Sequence, residues 1–228
     1  MLRRDVDEFD VSGQLPQQLA RREPVIPVYV LDDAGDGAWP AGGASRWWLH
    51  QALAALDADL RARGSRLILL RGESGAELDR LREQVGATAI CWNRRYEPAV
   101  IARDAGLKAR WTAAGLEAKS FNAALLHEPH TIANKQGKPF QVFTPFWRHC
   151  LELPVEAPLR LAPSVAIPAP ARWPAGITLS ELGLLPRIPW DAGMREAWAP
   201  GEAGAAKRLK RFAADAMESY SDRRNLPG

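Results

Sequence analysis

The sequence predicts an α/β fold: a doubly wound, mostly parallel sheet, then a long connector and one further helix. Three observations lead there. Short apolar runs rich in β-branched residues alternate with longer segments of helical periodicity. The runs are apolar on both faces, as in strands covered from both sides. Between residues 154 and 200 the periodicity stops, and that stretch holds half of the 18 prolines.

"PVIPVYVL" (24–31) reads as the first buried strand. Asp32, Asp33, Gly35 and Gly37 form the loop after it, with the two aspartates as loop caps. Ser45 is a candidate N-cap for a helix running to about Arg63. Trp48, Leu49, Ala52, Leu53, Leu56 and Leu60 recur there at helical spacing, and Gly64 ends the run. "RLILLRG" (66–72) is the next strand, and "SGAELDRLREQVG" (74–86) a helix with Ser74 as cap and Gly86 as stop. "TAICWN" (88–93) is a third strand. "EPAVIARDAGLKARWTAAG" (97–115) is a helix with Pro98 in its first turn, and "LEAKSFN" (116–122) is a fourth strand.

Ligands in such sheets sit beyond the carboxyl ends of the strands. Here those ends are 32–37, 72–74, 93–97 and 122–126. Residues 154–200 read as a connector laid over another surface, with "SELGLL" (180–185) as one helical turn. "GEAGAAKRLKRFAADAMESY" (201–220) reads as one amphipathic helix. Its apolar stripe is Ala205, Leu209, Phe212, Ala213, Ala216 and Tyr220.

The net charge of +3 does not call for nucleic acid, and basic residues cluster only in "KRLKR" (207–211). Cys91 and Cys150 form no C-x-x-C pair, which argues against a disulfide scaffold or a cysteine zinc site. His127 and His130 have no third ligand nearby. No apolar run reaches the roughly 20 residues of a membrane helix. The N-terminal "MLRRDVDEFD" lacks a signal-peptide core, so the expectation is a reduced, cytoplasmic protein.

"RRD" (3–5), "PVIPVYVLDD", "SRWWLHQALAALDADLRARGSRLILLRG", "WNRRYEPAVIARD", "FNAALLHEP", "NKQGKPFQVFTPFWRHC" and "PGEAGAAKRLKRFAADAMESYSDRRNLPG" occur in this order. Together they resemble the N-terminal half of DNA photolyases, in the photolyase/cryptochrome family. The resemblance implies a Rossmann-like antenna domain at 1–133, an interdomain connector at 134–200, and the start of a helical FAD-binding domain at 201–228. It implies a carbon–carbon lyase in which reduced FAD, excited by light, gives an electron to a cyclobutane pyrimidine dimer in DNA. The chain reads as the antenna half, inactive alone, with no catalytic residue of its own. Two departures support that. "VDEFDVSGQLPQQLA" stands where a central first strand is expected, and the chain ends before the loop and helices that cradle FAD.

Site residues follow from the same resemblance. Tyr220 matches a tyrosine that touches the flavin phosphates, and Arg224 a basic residue facing the DNA lesion. Trp48, Trp47 and Trp92 flank strand ends, where they pack the core or approach the antenna. Arg103 and Asp104 form a surface pair or line the antenna cleft. Folate-using members carry an Asn–Glu pair where this chain has Ala99 and Val100. Folate is therefore disfavoured, leaving a deazaflavin, a flavin or an empty site. Phe140, Phe143, Phe146 and Trp147 read as interdomain packing beside the basic Lys135, Lys138, Arg148 and His149.

The expected partners are damaged DNA and the missing FAD domain, with no membrane and no metal, in a protein monomeric when complete. Two other readings stand beside repair. One is a cryptochrome-type photoreceptor; the other is a free-standing nucleotide-binding α/β module.

Overall fold

The structure, a computed structural model, describes residues 23–35, 37, 40–122, 125–154 and 166–225. The departure from a first strand falls in residues 1–22, outside this set. The chain divides into two compact units, one of residues 26–81 with 169–228, the other of 1–25 with 82–168.

In the first unit, β1 (Val28–Leu31) pairs in parallel with β2 (Ile68–Arg71), Val28 opposite Ile68 and Leu31 opposite Arg71. Between them runs α1 (Gly43–Ala62), whose Trp47, Leu53 and Leu60 are buried along one face. Asp57 on α1 accepts the Leu67 N–H at 2.8 Å and the Arg61 guanidinium at 2.7 Å, which fastens the entry of β2 to the helix. The helix begins two residues ahead of Ser45, with Gly42 as an extended N-cap that makes no side-chain bond. Its first turn is bare for a steric reason: the Trp190 ring lies 3.1 Å from where a Cβ on Gly43 would sit.

The connector is not a surface strap between residues 174 and 191. Ile177 joins the free edge of β2 through an antiparallel bridge to Leu69. Leu182, in a 3₁₀ turn at Ser180–Leu182, and Leu184 are buried in the core. Residues 190–201 then track α1. Trp190 lies at Gly43, Trp198 meets Trp48 edge to face at 5.6 Å, and Ala55 Cβ lies 3.0 Å from the place of a Cβ on Gly201. The short α3 of this segment, counted after α2 (Ser74–Val85), is Ala192–Ala197. Asp191, just before it, is 2% exposed and holds Arg195 at 2.7 Å.

The amphipathic segment 201–220 is three pieces. α4 (Glu202–Arg211) is followed by a π turn, Phe212–Ala216, closed by Met217 N–H donating to Phe212 O at 2.9 Å. The Ser219 hydroxyl bonds the Ala216 carbonyl at 3.4 Å, competing with the helical ladder, and α5 (Tyr220–Arg223) starts afresh. Its apolar stripe is open: Leu209, Phe212, Met217 and Tyr220 are all exposed.

In the second unit, β3 (Ala89–Asn93) pairs in parallel with β4 (Glu117–Phe121), Ala89 opposite Glu117 and Asn93 opposite Phe121. α6 (Pro98–Ala113) connects them and buries Val100 and Trp111. A 3₁₀ turn at Pro129–Thr131 and α7 (Phe143–Glu152) follow. All strand pairing is parallel apart from the Ile177 bridge, and among the described residues the four strands form two pairs.

Candidate functional site

The chemistry-bearing side chains gather at the carboxyl ends of both strand pairs. At the end of β1, Asp32 Oδ1 accepts the Gly35 N–H at 2.8 Å. Its Oδ2 takes the backbone N–H and hydroxyl of Ser74 at 2.9 and 2.8 Å. Glu73 accepts the Gly75 and Ala76 N–H groups at 2.9 and 2.6 Å. The first N–H groups of α2 are thus taken by the chain's own carboxylates, and the helix offers no open anion seat there. Asp33 bridges Arg46 at 2.7 Å and Arg71 at 3.2 Å across the same loop.

At the ends of β3 and β4, Glu128 is the hub. It is 11% exposed, lies 3.0 Å from Arg94 Nε, and accepts the Tyr96 hydroxyl at 2.9 Å. The same hydroxyl lies 3.4 Å from Asn122 Oδ1, and His130 Nδ1 is 3.6 Å from Glu128. Burial, and then the bond to Glu128, push the Tyr96 phenol above its ordinary pKa. The motif reading did not single out this cluster. Its signal was "NRRYEP" at one strand end and "HEP" beyond the other.

The expected site residues fall as follows. Trp48 is 38% exposed, between Trp47 and Trp198. Arg208 caps that stack, its guanidinium 4.1 Å above the Trp198 ring. Arg103 and Asp104 pair at 2.9 Å, and Asp104 also accepts the Trp92 indole N–H at 3.1 Å. Trp92 leans edge to face on Trp111 at 5.8 Å, so its ring serves core packing. Tyr220 and Arg224 sit one turn apart at the last helix, linked by a backbone bond of 3.0 Å, both exposed. Tyr220 rests its ring on Phe212 at 5.8 Å. An open phenol and guanidinium on one face suit an anionic group.

Phe143 and Trp147 stack on the exposed side of α7, 6.3 Å apart and 7° from parallel. Phe140 turns the other way, onto Phe146 at 6.2 Å and His149 at 5.4 Å. Burial, then Glu117, push the Cys91 thiol up to about 11, which makes it a poor nucleophile; Cys150 is half-buried on α7. Among the described residues no three His, Cys, Asp or Glu side chains converge for a metal, and no helix is long and apolar enough to cross a membrane.

The profile of one family, DNA photolyase, matches residues 15–170. The chain belongs to the DNA photolyase family. It is 41% identical over 205 residues to the deoxyribodipyrimidine photo-lyase of Agrobacterium fabrum, covering 90% of this chain and 42% of that one. It is 36% identical over 211 residues to cryptochrome-2 of Arabidopsis thaliana, covering 89% and 34%. The crystal structure of a class III photolyase from Agrobacterium tumefaciens superposes with a TM-score of 0.83 at 39% identity, covering 91% of this chain and 42% of that one. The photolyase-family chain described here thus spans less than half the length of these relatives.

Proposed function

We propose that these residues form the antenna-side half of a light-driven DNA photolyase, which reverses cyclobutane pyrimidine dimers. The likeness to the class III photolyase supports this most: a TM-score of 0.83 at 39% identity over 91% of the chain. Reduced FAD, where bound, supplies the electron that splits the dimer. From this side Tyr220 would donate one hydrogen bond to a flavin phosphate, and Arg224, a turn later, would meet the DNA. The open stripe of Leu209, Phe212 and Met217 suits the helical domain that would complete the flavin site.

An antenna chromophore lies at the strand ends in this reading, with Arg103 and Asp104 as its contacts in one unit; Trp48, in the other unit, is a separate candidate. Folate is disfavoured on a structural ground as well. Val100, at one of the two positions where folate-using members carry Asn–Glu, is fully buried and faces the core. A deazaflavin or flavin is the better candidate. The complete protein is proposed to be cytoplasmic and monomeric.

The test starts from the protein purified from its native cells, by intact mass and visible absorption. A mass about twice that of this chain, a flavin spectrum, and blue-light repair of a dimer-containing oligonucleotide support the proposal. Flavin without repair favours the cryptochrome reading, which the 36% identity to cryptochrome-2 keeps in view. A species of 25.1 kDa without chromophore overturns both.

A further inference from the structure

In the basic run "KRLKR" (207–211), one side chain behaves unlike its neighbours. Lys207 and Lys210 make no bond among the described residues, and Arg211 reaches only Asp215, at 3.9 Å. Arg208 reaches out of the helix. Its Nη2 donates to the Ala197 carbonyl at 2.8 Å, and its guanidinium lies 4.1 Å above the Trp198 ring. Ala197 is the last residue of α3, where a carbonyl has no partner inside its own helix. Trp198 in turn meets Trp48 of α1 edge to face at 5.6 Å. One side chain of α4 therefore ties it to the end of α3 and, through Trp198, to α1.

The other fastening lies at the start of α4. Gly201 has a φ of +103°, and a Cβ there would sit 3.0 Å from Ala55 Cβ on α1. A Cβ on Gly204 would overlap the Ala199 carbonyl oxygen. The turn into α4 is thus pressed close by two residues that lack side chains. A helix held only at its start can swivel about that point. Arg208, about two turns on, supplies the second hold that stops the swivel. Beyond it, no bond or ring contact among the described residues ties the helix to α1 or the connector, and Leu209, Phe212 and Met217 are exposed. The heading is passed on along the chain. Phe212 (φ −57°, ψ −46°) and Met217 (φ −62°, ψ −42°) keep helical backbone angles on either side of the π turn. The Tyr220 ring then rests on Phe212 at 5.8 Å, and Arg224 N–H donates to Tyr220 O at 3.0 Å.

We infer that Arg208 is a positioning residue, which fixes the heading of α4 and with it the place of Tyr220 and Arg224. The inference rests on the reading of Tyr220 as a flavin contact. Arg208 acts through the helix and needs no contact of its own with flavin or DNA.

The first arm of the test uses the 228-residue chain. It measures the distance between spin labels on α1 and α4, at Asp59→Cys and Lys210→Cys, with Cys91→Ser and Cys150→Ser. A single narrow distance is expected. Arg208→Ala should broaden it, and Lys207→Ala should leave it alone. Arg208→Lys should restore it in part, since an ammonium can still donate to Ala197 and lie over Trp198. If the serine background does not fold, amide exchange at residues 198–205 with both native cysteines in place reads the same release, faster in Arg208→Ala and unchanged in Lys207→Ala. The second arm uses the complete flavin-bearing protein. Arg208→Ala should retain flavin a few-fold less well, as Tyr220→Phe does. The two together should lose no more than either alone, because both act through one contact. An unchanged distance or exchange rate in Arg208→Ala overturns the inference, and so does full flavin retention in that variant or additive loss in the double variant. A parent protein that holds no flavin overturns the repair reading instead, and the first arm then decides by itself whether Arg208 sets the heading of α4.

Discussion

Ile177 donates its backbone N–H to the Leu69 carbonyl at 2.9 Å, and Gly176, one residue earlier, lies against the same strand. A Cβ at position 176 would meet Leu69 O at 2.9 Å and Ile68 Cγ2 at 3.1 Å. The pairing of connector and sheet therefore depends on a missing side chain.

Gly176→Ala should destabilise the chain by about 1–3 kcal/mol, because a backbone carbonyl cannot step aside as a side chain can. Chemical denaturation measures this, and an unchanged midpoint would show that the connector is not docked on β2.

Asp191 links stability to acid. The Arg195 guanidinium, hydrogen-bonded to it, is the main reason its pKa lies below the usual value, with the Trp47 indole adding a smaller pull. The folded state then binds that proton less readily than the unfolded one. Its contribution is complete above about pH 4, the ordinary carboxyl pKa, and fades as pH falls through the lower folded value. Asp191→Asn should melt lower at neutral pH and lose less on acidification. Parallel acid limbs for the two proteins would refute the assignment.

Glu128→Gln should cost about 1–3 kcal/mol, since it leaves the Arg94 charge with a weaker partner in a largely buried place. The Tyr96 phenol should then titrate closer to its ordinary value near pH 10, the Glu128 bond being one cause of its raised pKa. In the parent chain that raised value means stability held below about pH 10 and lost above it. Ultraviolet absorbance of the tyrosinate reads the shift, and an unmoved titration would mean that burial alone sets it.

In the complete protein, Tyr220→Phe should retain flavin less well by a few-fold, the effect of one lost hydrogen bond. Arg224→Ala should keep its flavin and bind dimer-containing DNA more weakly at moderate salt. Full flavin retention in the first variant, or full affinity in the second, removes that residue from the proposed site.

The repeating strands and helices were legible because each carries its own signal. Val28–Leu31 and Ile68–Leu70 are continuous apolar runs, and Pro98 marks the start of α6. The connector was not legible, because its order comes from single long-range contacts. Nothing in "PAGITLSELGLL" announces that Ile177 will extend a strand 108 positions earlier in the chain, or that Leu182 and Leu184 will be buried. The break after Arg211 was missed for a different reason. The apolar spacing through Tyr220 fits a helix, and only the Ser219 hydroxyl on the Ala216 carbonyl shows where the ladder yields. The site divides the same way. Tyr220 and Arg224 came from a motif, whereas Glu128, Tyr96 and Asn122 meet only once β3 and β4 lie side by side.

Residues 190–201 act as a splint on α1. Contacts at Gly43, Trp48 and Ala55 bind the two together over much of the helix. The heading of α4 is thus inherited from α1. A substitution that shifts the splint along α1 would re-aim the open stripe of α4 without touching α4 itself.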